Sequence, residues 1–425
     1  MGSLETVTAV TVDPSVILQP NDLAAVPSIL QKIQRLGGNL DATDDSTRQS
    51  LLSAARSLVV ALEKPRETMI RHCWAENSLS SVISLGVEVG IWDYLASSSS
   101  PKTVSQIAAA TYTEAAFIGR LLKHVAAMGY ILETAQDTYA ATNFSKALTI
   151  PILNAGYRVF SGPGNTAGLQ KCVSTLPSYA AKTGYKTPKS MLDGNLQYAH
   201  DTKLNMFEWL ASNPPAGECF NLHMGGYAHG RPRWFNDNFY PVQDRLLSNY
   251  DASSSSALLV DIGGGLGHDA KGFLSKFPKA KGRVILQDLD NVISQIDVSD
   301  LDKRIEPTVY DFHTEQPVKG ARAYYMHSVL HDWPDEVCLS ILAQIKKAMK
   351  PGYSKLLINE NVIPDTGAHW ETTGLDVLMS LLLSSKERTR VEWYKLLEEG
   401  AGFKVTGVYG GLSGVESLIE CEVVE

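Results

Sequence analysis

Apolar residues recur at helical spacing from Asn21 to Lys64: Leu23, Ile29, Leu30, Ile33 and Leu36, then Leu51, Leu52, Leu58, Val59 and Leu62. Positions three and four apart share a face, so the pattern predicts two amphipathic helices separated by the polar stretch Asp41–Ser46. Residues 1–20 are polar and β-branched without period and read as a loose tail. Beyond residue 66 a helix is expected over Thr68–Leu85 and a short one over Gly90–Leu95, before a serine run ending in Pro101 breaks the chain. Val104–Ala108 and Ala115–Met128 follow as helices, then Gly129–Glu133 and Tyr139–Thr142 as the strands of a hairpin. Helix, helix and two-stranded wing make a winged-helix order.

Residues 150–250 are rich in aromatics and methionine, most of which serve simply as core. Met206, Phe207, Phe220 and Met224 nevertheless fall where a pocket wall would stand beside a nucleotide domain, and Trp333 and Met379 are assigned to the same wall. Ser253–Ser256 reads as a linker. From there strand and helix alternate: Leu258–Ile262, Asp269–Lys276, Arg283–Leu286, Ala323–Met326, Glu336–Met349 and Leu356–Ile358, with Phe403–Val408 and Ser417–Glu422 as a late antiparallel pair. That order predicts an α/β, Rossmann-like doubly wound sheet with helices on both faces. The expected division is a tail (1–20), a helical and winged-helix region (21–150), a helical connector (151–252) and the α/β domain (253–425).

Composition narrows the partners. A winged helix usually binds DNA, but the net charge is −8 and the presumed recognition helix offers only Arg120, Lys123 and His124. No nucleic acid or anionic membrane surface is expected, and dimerisation is the better use of that region. The five cysteines are scattered without a C-x-x-C pair, which suits reduced thiols in the cytoplasm. There is neither a signal-peptide pattern nor an apolar run long enough for a membrane span.

The sharpest motif is Leu258-Leu259-Val260-Asp261-Ile262-Gly263-Gly264-Gly265-Leu266-Gly267. A buried strand running into glycines lets the backbone approach a ligand where a Cβ would collide. An acid, Asp288, ends the next apolar run 21 positions after Gly267, where a nucleoside-binding unit places the carboxylate that grips ribose. The spacing is G-G-G-x-G, with Asp261 at the strand end and no Lys-Ser/Thr for a triphosphate. An acidic, phosphate-free lip suits a nucleoside that carries positive charge.

Three further pieces follow strands of this domain: His327-Ser328-Val329-Leu330-His331-Asp332-Trp333-Pro334-Asp335, Asn359-Glu360, and Lys386-Glu387-Arg388-Thr389. An imidazole near neutrality is the natural base for a mildly acidic hydroxyl, and carboxylates beside it fix its tautomer. Asp332 or Pro334 is expected to begin the following helix, and an N-cap role for Asp332 or an arginine pairing for Glu387 stays open. No His, Asp or Glu group has ligand spacing along the chain, so no metal is expected.

With these motifs the chain resembles the S-adenosylmethionine-dependent O-methyltransferases of the plant caffeate and flavonoid type and their relatives in fungal secondary metabolism. The resemblance covers residues 70–425 and rests on Asp261–Gly267, His331-Asp332-Trp333, Asn359-Glu360-Asn361-Val362-Ile363-Pro364 and Lys386–Thr389. It implies a class I methyltransferase domain with S-adenosylmethionine as cofactor and an N-terminal winged-helix region that forms a homodimer. It further implies His331 as general base flanked by Glu360 and Glu387. Asp288 and Leu289 would hold the ribose, Asp311 and Phe312 the adenine, and Asp261, Gly263 and Gly265 the rest of the cofactor. Plant members often carry Lys four residues before the base; here His327 stands there and is placed among the cofactor contacts. The expected reaction is methyl transfer to a phenolic or enolic hydroxyl of a polyketide-like metabolite. The alternative is a pericyclase or dehydratase that binds the same cofactor without consuming it, because the block Phe207–Leu210 through Gly230–Pro232 to Phe239–Val242 resembles a fungal branch in which some members have lost methyl transfer.

Overall fold

The helical periodicity of the N-terminal half is realised as Val26–Gly38 and Asp45–Leu62. A 3-10 turn at Pro14–Leu18 stands within the stretch expected to be loose. The computed structural model describes residues 12–41, 45–162, 168–228, 230–251, 257–410 and 416–424, so the expected linker Ser253–Ser256 lies outside the described residues, as does residue 1–11 of the tail. The chain divides into two units, Met1–Tyr157 and Arg158–Glu425.

In the first unit the helix expected over Thr68–Leu85 is three pieces: Pro65–Ile70, a π-helical turn Arg71–Glu76, and Asn77–Glu88. The wing forms as expected from Ile131–Ala135 and Thr138–Ala141, and Lys102–Thr103 adds a third, antiparallel strand. Trp92, Leu95, Ile107, Ile118, Leu122, Val125 and Tyr139 form the core. The Trp92 indole N–H donates to the Ile83 carbonyl at 3.0 Å. A Cβ on Gly86 would stand 2.4 Å from the same ring, so the helix packs there only because the position is glycine. Leu30, Val59, Val60, Met69 and Trp74 are exposed on the single chain.

The second unit is built on a seven-stranded sheet. Its strands are β1 (Ala257–Ile262), β2 (Arg283–Asp288), β3 (Ile305–Val309), β4 (Ala323–His327), β5 (Lys355–Glu360), β6 (Phe403–Gly410) and β7 (Ser417–Val423). The spatial order is β6-β7-β5-β4-β1-β2-β3. β1 to β5 run parallel, and β7 lies antiparallel between β5 and β6. Every residue of β1 and β5 is buried, which is why both read as nearly unbroken apolar runs. β3 escaped the sequence pattern because it is an edge strand carrying Glu306 and Pro307.

Alternate side chains sort to two cores. Val260, Ile262, Tyr324, Met326, Leu356 and Ile358 pack with helix α2 and with Trp393 of α4. Leu259, Val284, Leu286, Tyr325 and Leu357 pack with Ala270, Phe273 and Leu274 of α1 and with Trp234 and Phe235. Here α1 is His268–Lys276, α2 Asp335–Ala348, α3 Trp370–Leu383 and α4 Arg390–Tyr394. The order in which strands are added reverses between the parallel neighbours β1 and β4, so their carboxyl ends flank the switch point, where ligands of such sheets bind. Among the described residues, no helix is long and apolar enough to cross a membrane.

Candidate functional site

β4 ends at His327, and a left-handed residue, Ser328 (φ 50°), leads into a 3-10 turn, Leu330–Asp332. Glu360, the buried last residue of β5, accepts the N–H groups of Val329, Leu330 and His331 through one oxygen at 2.9, 2.8 and 3.3 Å. Three amide dipoles aimed at one oxygen form an anion seat that fixes the turn. The other Glu360 oxygen lies 3.8 Å from His331 Nδ1. Glu387, beyond the end of α3, accepts the Nδ1–H of His331 at 2.7 Å. Asp376 accepts the Glu387 N–H at 2.9 Å, and the fully buried Arg388 donates to the carbonyls of Leu330 and Trp333 and to Asp335. Arg388 therefore clamps the Leu330–Asp335 loop to the Lys386–Thr389 segment. Glu387 does not pair with it, and Pro334, not Asp332, caps α2. Asp332 instead places Oδ1 3.4 Å from His331 Nε2.

Burial acts to lower the pKa of His331, but Glu360, Asp332 and Glu387 together outweigh it and raise it to about 10. Burial pushes Asp332 up to about 6 and Glu360 upward as well. With three acids facing it, imidazolium is the favoured form in this cluster. The ligating atoms of His331, Glu360 and Glu387 lie within 4.8 Å of one another, close enough to surround a metal ion. Sequence spacing hid that grouping, because the three come from separate chain segments; a metal there would have to displace the Nδ1 proton that Glu387 holds.

Gly263, Gly265 and Gly267 have φ of 70°, 57° and 78°, a left-handed path that favours glycine. Gly264 and Gly267 serve packing, since a Cβ would stand 2.5 and 2.7 Å from the Leu286 side chain. At Gly265 the same space is open, and its N–H donates to Asp288 Oδ2 at 2.8 Å. The other Asp288 oxygen accepts the Leu289 N–H at 2.7 Å, so the carboxylate is aligned beside the loop at the end of β2. Asp311 and Phe312 follow β3. The Phe312 ring meets Trp333 edge-on at 5.9 Å, which puts Trp333 on the rim beside Phe312. Asp261 is buried beneath the loop, where burial, Asp269 and Asp288 raise its pKa. One buried oxygen each of Asp261, Asn359, Glu360 and Glu387 has no hydrogen-bond partner. Unpaired acceptors grouped at strand ends fit a ligand rich in donors and positive charge, and a cationic nucleoside meets that requirement where a polyphosphate does not.

At His327, Nδ1 lies 2.6 Å from Asp269 and Nε2 3.2 Å from Glu416, so both ring nitrogens are engaged within the protein. Of the expected pocket residues, Met206 and Met379 are buried, Phe207 and Met224 are exposed on the single chain, and Phe207 meets Phe220 edge-on at 6.5 Å. Asp269, Glu416 and Asp376 were not read from the sequence. Asp269 and Asp376 sit within helices where an acid reads as solvated, and Glu416 precedes β7 with no motif around it.

An O-methyltransferase domain model matches residues 234–404, and an O-methyltransferase dimerisation domain model matches residues 75–150. The chain is 34% identical over 402 residues to the O-methyltransferase mpaG of Penicillium brevicompactum, covering 94% of this chain and 99% of that protein. The chain belongs to the O-methyltransferase family. Two solved structures, one described as a pericyclic reaction enzyme and one as LepI in complex with SAM, each superpose with a TM-score of 0.82 at 30% identity, covering 94% of this chain and 99% of theirs. This O-methyltransferase thus has the class I fold expected of it, with the β1 loop, His331 and Glu360 all inside the matched domain.

Proposed function

We propose that this O-methyltransferase moves a methyl group from S-adenosylmethionine to a phenolic or enolic hydroxyl of a small polyketide-like metabolite, with His331 as general base. The observation that carries the reading is the 2.7 Å contact between His331 Nδ1 and Glu387. It commits the Nδ1 proton to a carboxylate and leaves Nε2 to take the hydroxyl proton. Glu360 seats the turn that carries the imidazole, and both acids stabilise the imidazolium that results. Bound S-adenosylmethionine supplies a methyl group already activated by its sulfonium, so the protein's main task is alignment. Asp288 would hold the ribose hydroxyls, Asp311 and Phe312 the adenine, the backbone of Gly263 and Gly265 the approach to the methionyl arm, and Asp261 the positive charge. Met206, Phe207, Phe220, Met224 and Met379 would wall the substrate. The protein acts as a homodimer, through its dimerisation domain, and we place it in the cytoplasm.

A second reading has its own support. Three acids favour the protonated form of His331, and an imidazolium donates to a carbonyl as readily as a neutral ring accepts a proton. That would suit a pericyclase or dehydratase, and one structural neighbour is described as a pericyclic reaction enzyme. Mass spectrometry of a reaction with a pathway hydroxyarene separates the two. Methyl transfer yields S-adenosylhomocysteine in equal amount to product, and His331→Ala lowers turnover by about 10²–10⁴ while cofactor binding holds. Full conversion with no S-adenosylhomocysteine formed would refute methyl transfer.

A further inference from the structure

Six charged side chains alternate in sign through the second unit: Arg233, Asp269, His327, Glu416, Arg231 and Glu371. Successive contacts are 3.0 Å from Arg233 to Asp269, 2.6 Å from Asp269 to His327, 3.2 Å from His327 to Glu416, 3.6 Å from Glu416 to Arg231, and 2.5 Å from Arg231 to Glu371. Tyr325 adds its hydroxyl to Asp269 at 2.7 Å. The series joins distant parts of the chain. Asp269 lies in the first turn of α1, two residues past Gly267; Glu416 stands just before β7; and Glu371 lies in the first turn of α3, whose far end leads to Glu387.

His327 is the centre of this series and its one member with an ordinary pKa near neutrality. A neutral imidazole has a single N–H and can donate to one neighbour only, whereas the cation donates to both. With His327 charged the six groups sum to zero; with it neutral, two carboxylates face an uncharged ring. Burial acts against the cation, yet Glu416 and Asp269 hold the pKa well above the imidazole value. The other groups around it are Asp261, Tyr325, Arg231 and Arg233.

We infer that His327 is a positioning residue for the cofactor loop: its cation ties the helix that springs from Gly267 to Glu416 and Arg231, and so sets the loop's grip on the cofactor without touching it. The inference rests on the reading that this loop holds S-adenosylmethionine.

Titration calorimetry with S-adenosylmethionine and S-adenosylhomocysteine on the full-length protein tests it, with Asp288→Ala as the reference variant. His327→Gln, which keeps a donor but not the charge, is expected to weaken both ligands roughly tenfold, the size of coupling that residues remote from a ligand exert. KM for the methyl donor should rise in step while kcat at saturation changes by less than about threefold. His327→Lys retains a cation that reaches both acids and should stay within about threefold of the wild type. Wild-type affinity in His327→Gln, or equal damage in His327→Lys, overturns the bridging role. If His327→Gln fails to fold, Arg233→Gln at the half-exposed end carries the test. A roughly threefold loss there supports the bridge, and unchanged affinity overturns it. Unchanged affinity in Asp288→Ala would instead overturn the cofactor reading beneath it. Loss in Asp288→Ala with none in His327→Gln defeats the bridge alone.

Discussion

His331 carries three acidic neighbours, and the consequence is a defined pH dependence. Its pKa, raised to about 10, keeps the free protein's imidazole protonated at neutrality. Only the neutral ring can accept a proton, so kcat/KM is expected to climb with pH from 6 to 9, with no fall in that range caused by this group. Glu387→Gln removes one negative charge 2.7 Å from Nδ1 and should lower the His331 pKa by ~1–3 units, moving the rising limb to lower pH as the plateau drops. A profile that stays put on that substitution would contradict the electrostatic account. The types of these residues were legible in the sequence, as His, Glu and Glu after strands. Their electrostatics were not, because Asp332 had a competing use as a helix cap and only the actual path of the turn shows it facing Nε2 instead.

Arg388 shows how elements are held to one another around that turn. Its guanidinium is fully buried and reaches two carbonyls of the Leu330–Trp333 turn and the first residue of α2. Arg388→Met should destabilise the protein by roughly 3 kcal/mol, the lower end for breaking a buried charged contact. It should also lower kcat more than it raises KM for cofactor, since the turn it clamps carries the base and not the glycine loop. Chemical denaturation and steady-state kinetics read the two effects separately. At this level the sequence was informative where one period dominated. The parallel strands β1, β4 and β5 were visible because both faces are covered, and the wing because two short β-prone runs follow two helices. β3 and the two-residue strands Val362–Ile363 and Arg388–Thr389 were invisible, because a proline at an edge and a two-residue ladder leave no periodic trace. The π-helical turn Arg71–Glu76 was likewise unreadable, since one extra residue in a helix does not disturb the apolar spacing enough to register.

The assembled protein is expected to sediment at twice the mass of one chain at micromolar concentration. The dimerisation domain starts at residue 75, beside Trp74, and Leu30, Val59, Val60 and Met69 are exposed apolar side chains of the same unit. Covering such a surface is favourable by ~25 cal/mol per Å² of apolar area. A monomer that persists at tens of micromolar would contradict the expectation. Fold class and dimerisation were legible from the sequence because they depend on patterns tens of residues long. The charge series through His327 was not, because its members are separated by up to 185 positions along the chain, from Arg231 to Glu416.

The pleat of β4 has a chemical meaning of its own. Tyr325 and His327 emerge toward α1, whereas Tyr324 and Met326 face α2. The two imidazoles, four residues apart, therefore meet different partners: His327 lies between Asp269 and Glu416, and His331 meets Glu360, Glu387 and Asp332. A single-residue deletion within Ala323–His327 would turn the imidazole at the strand end to the other face, away from Asp269, and cut the charge series at its centre.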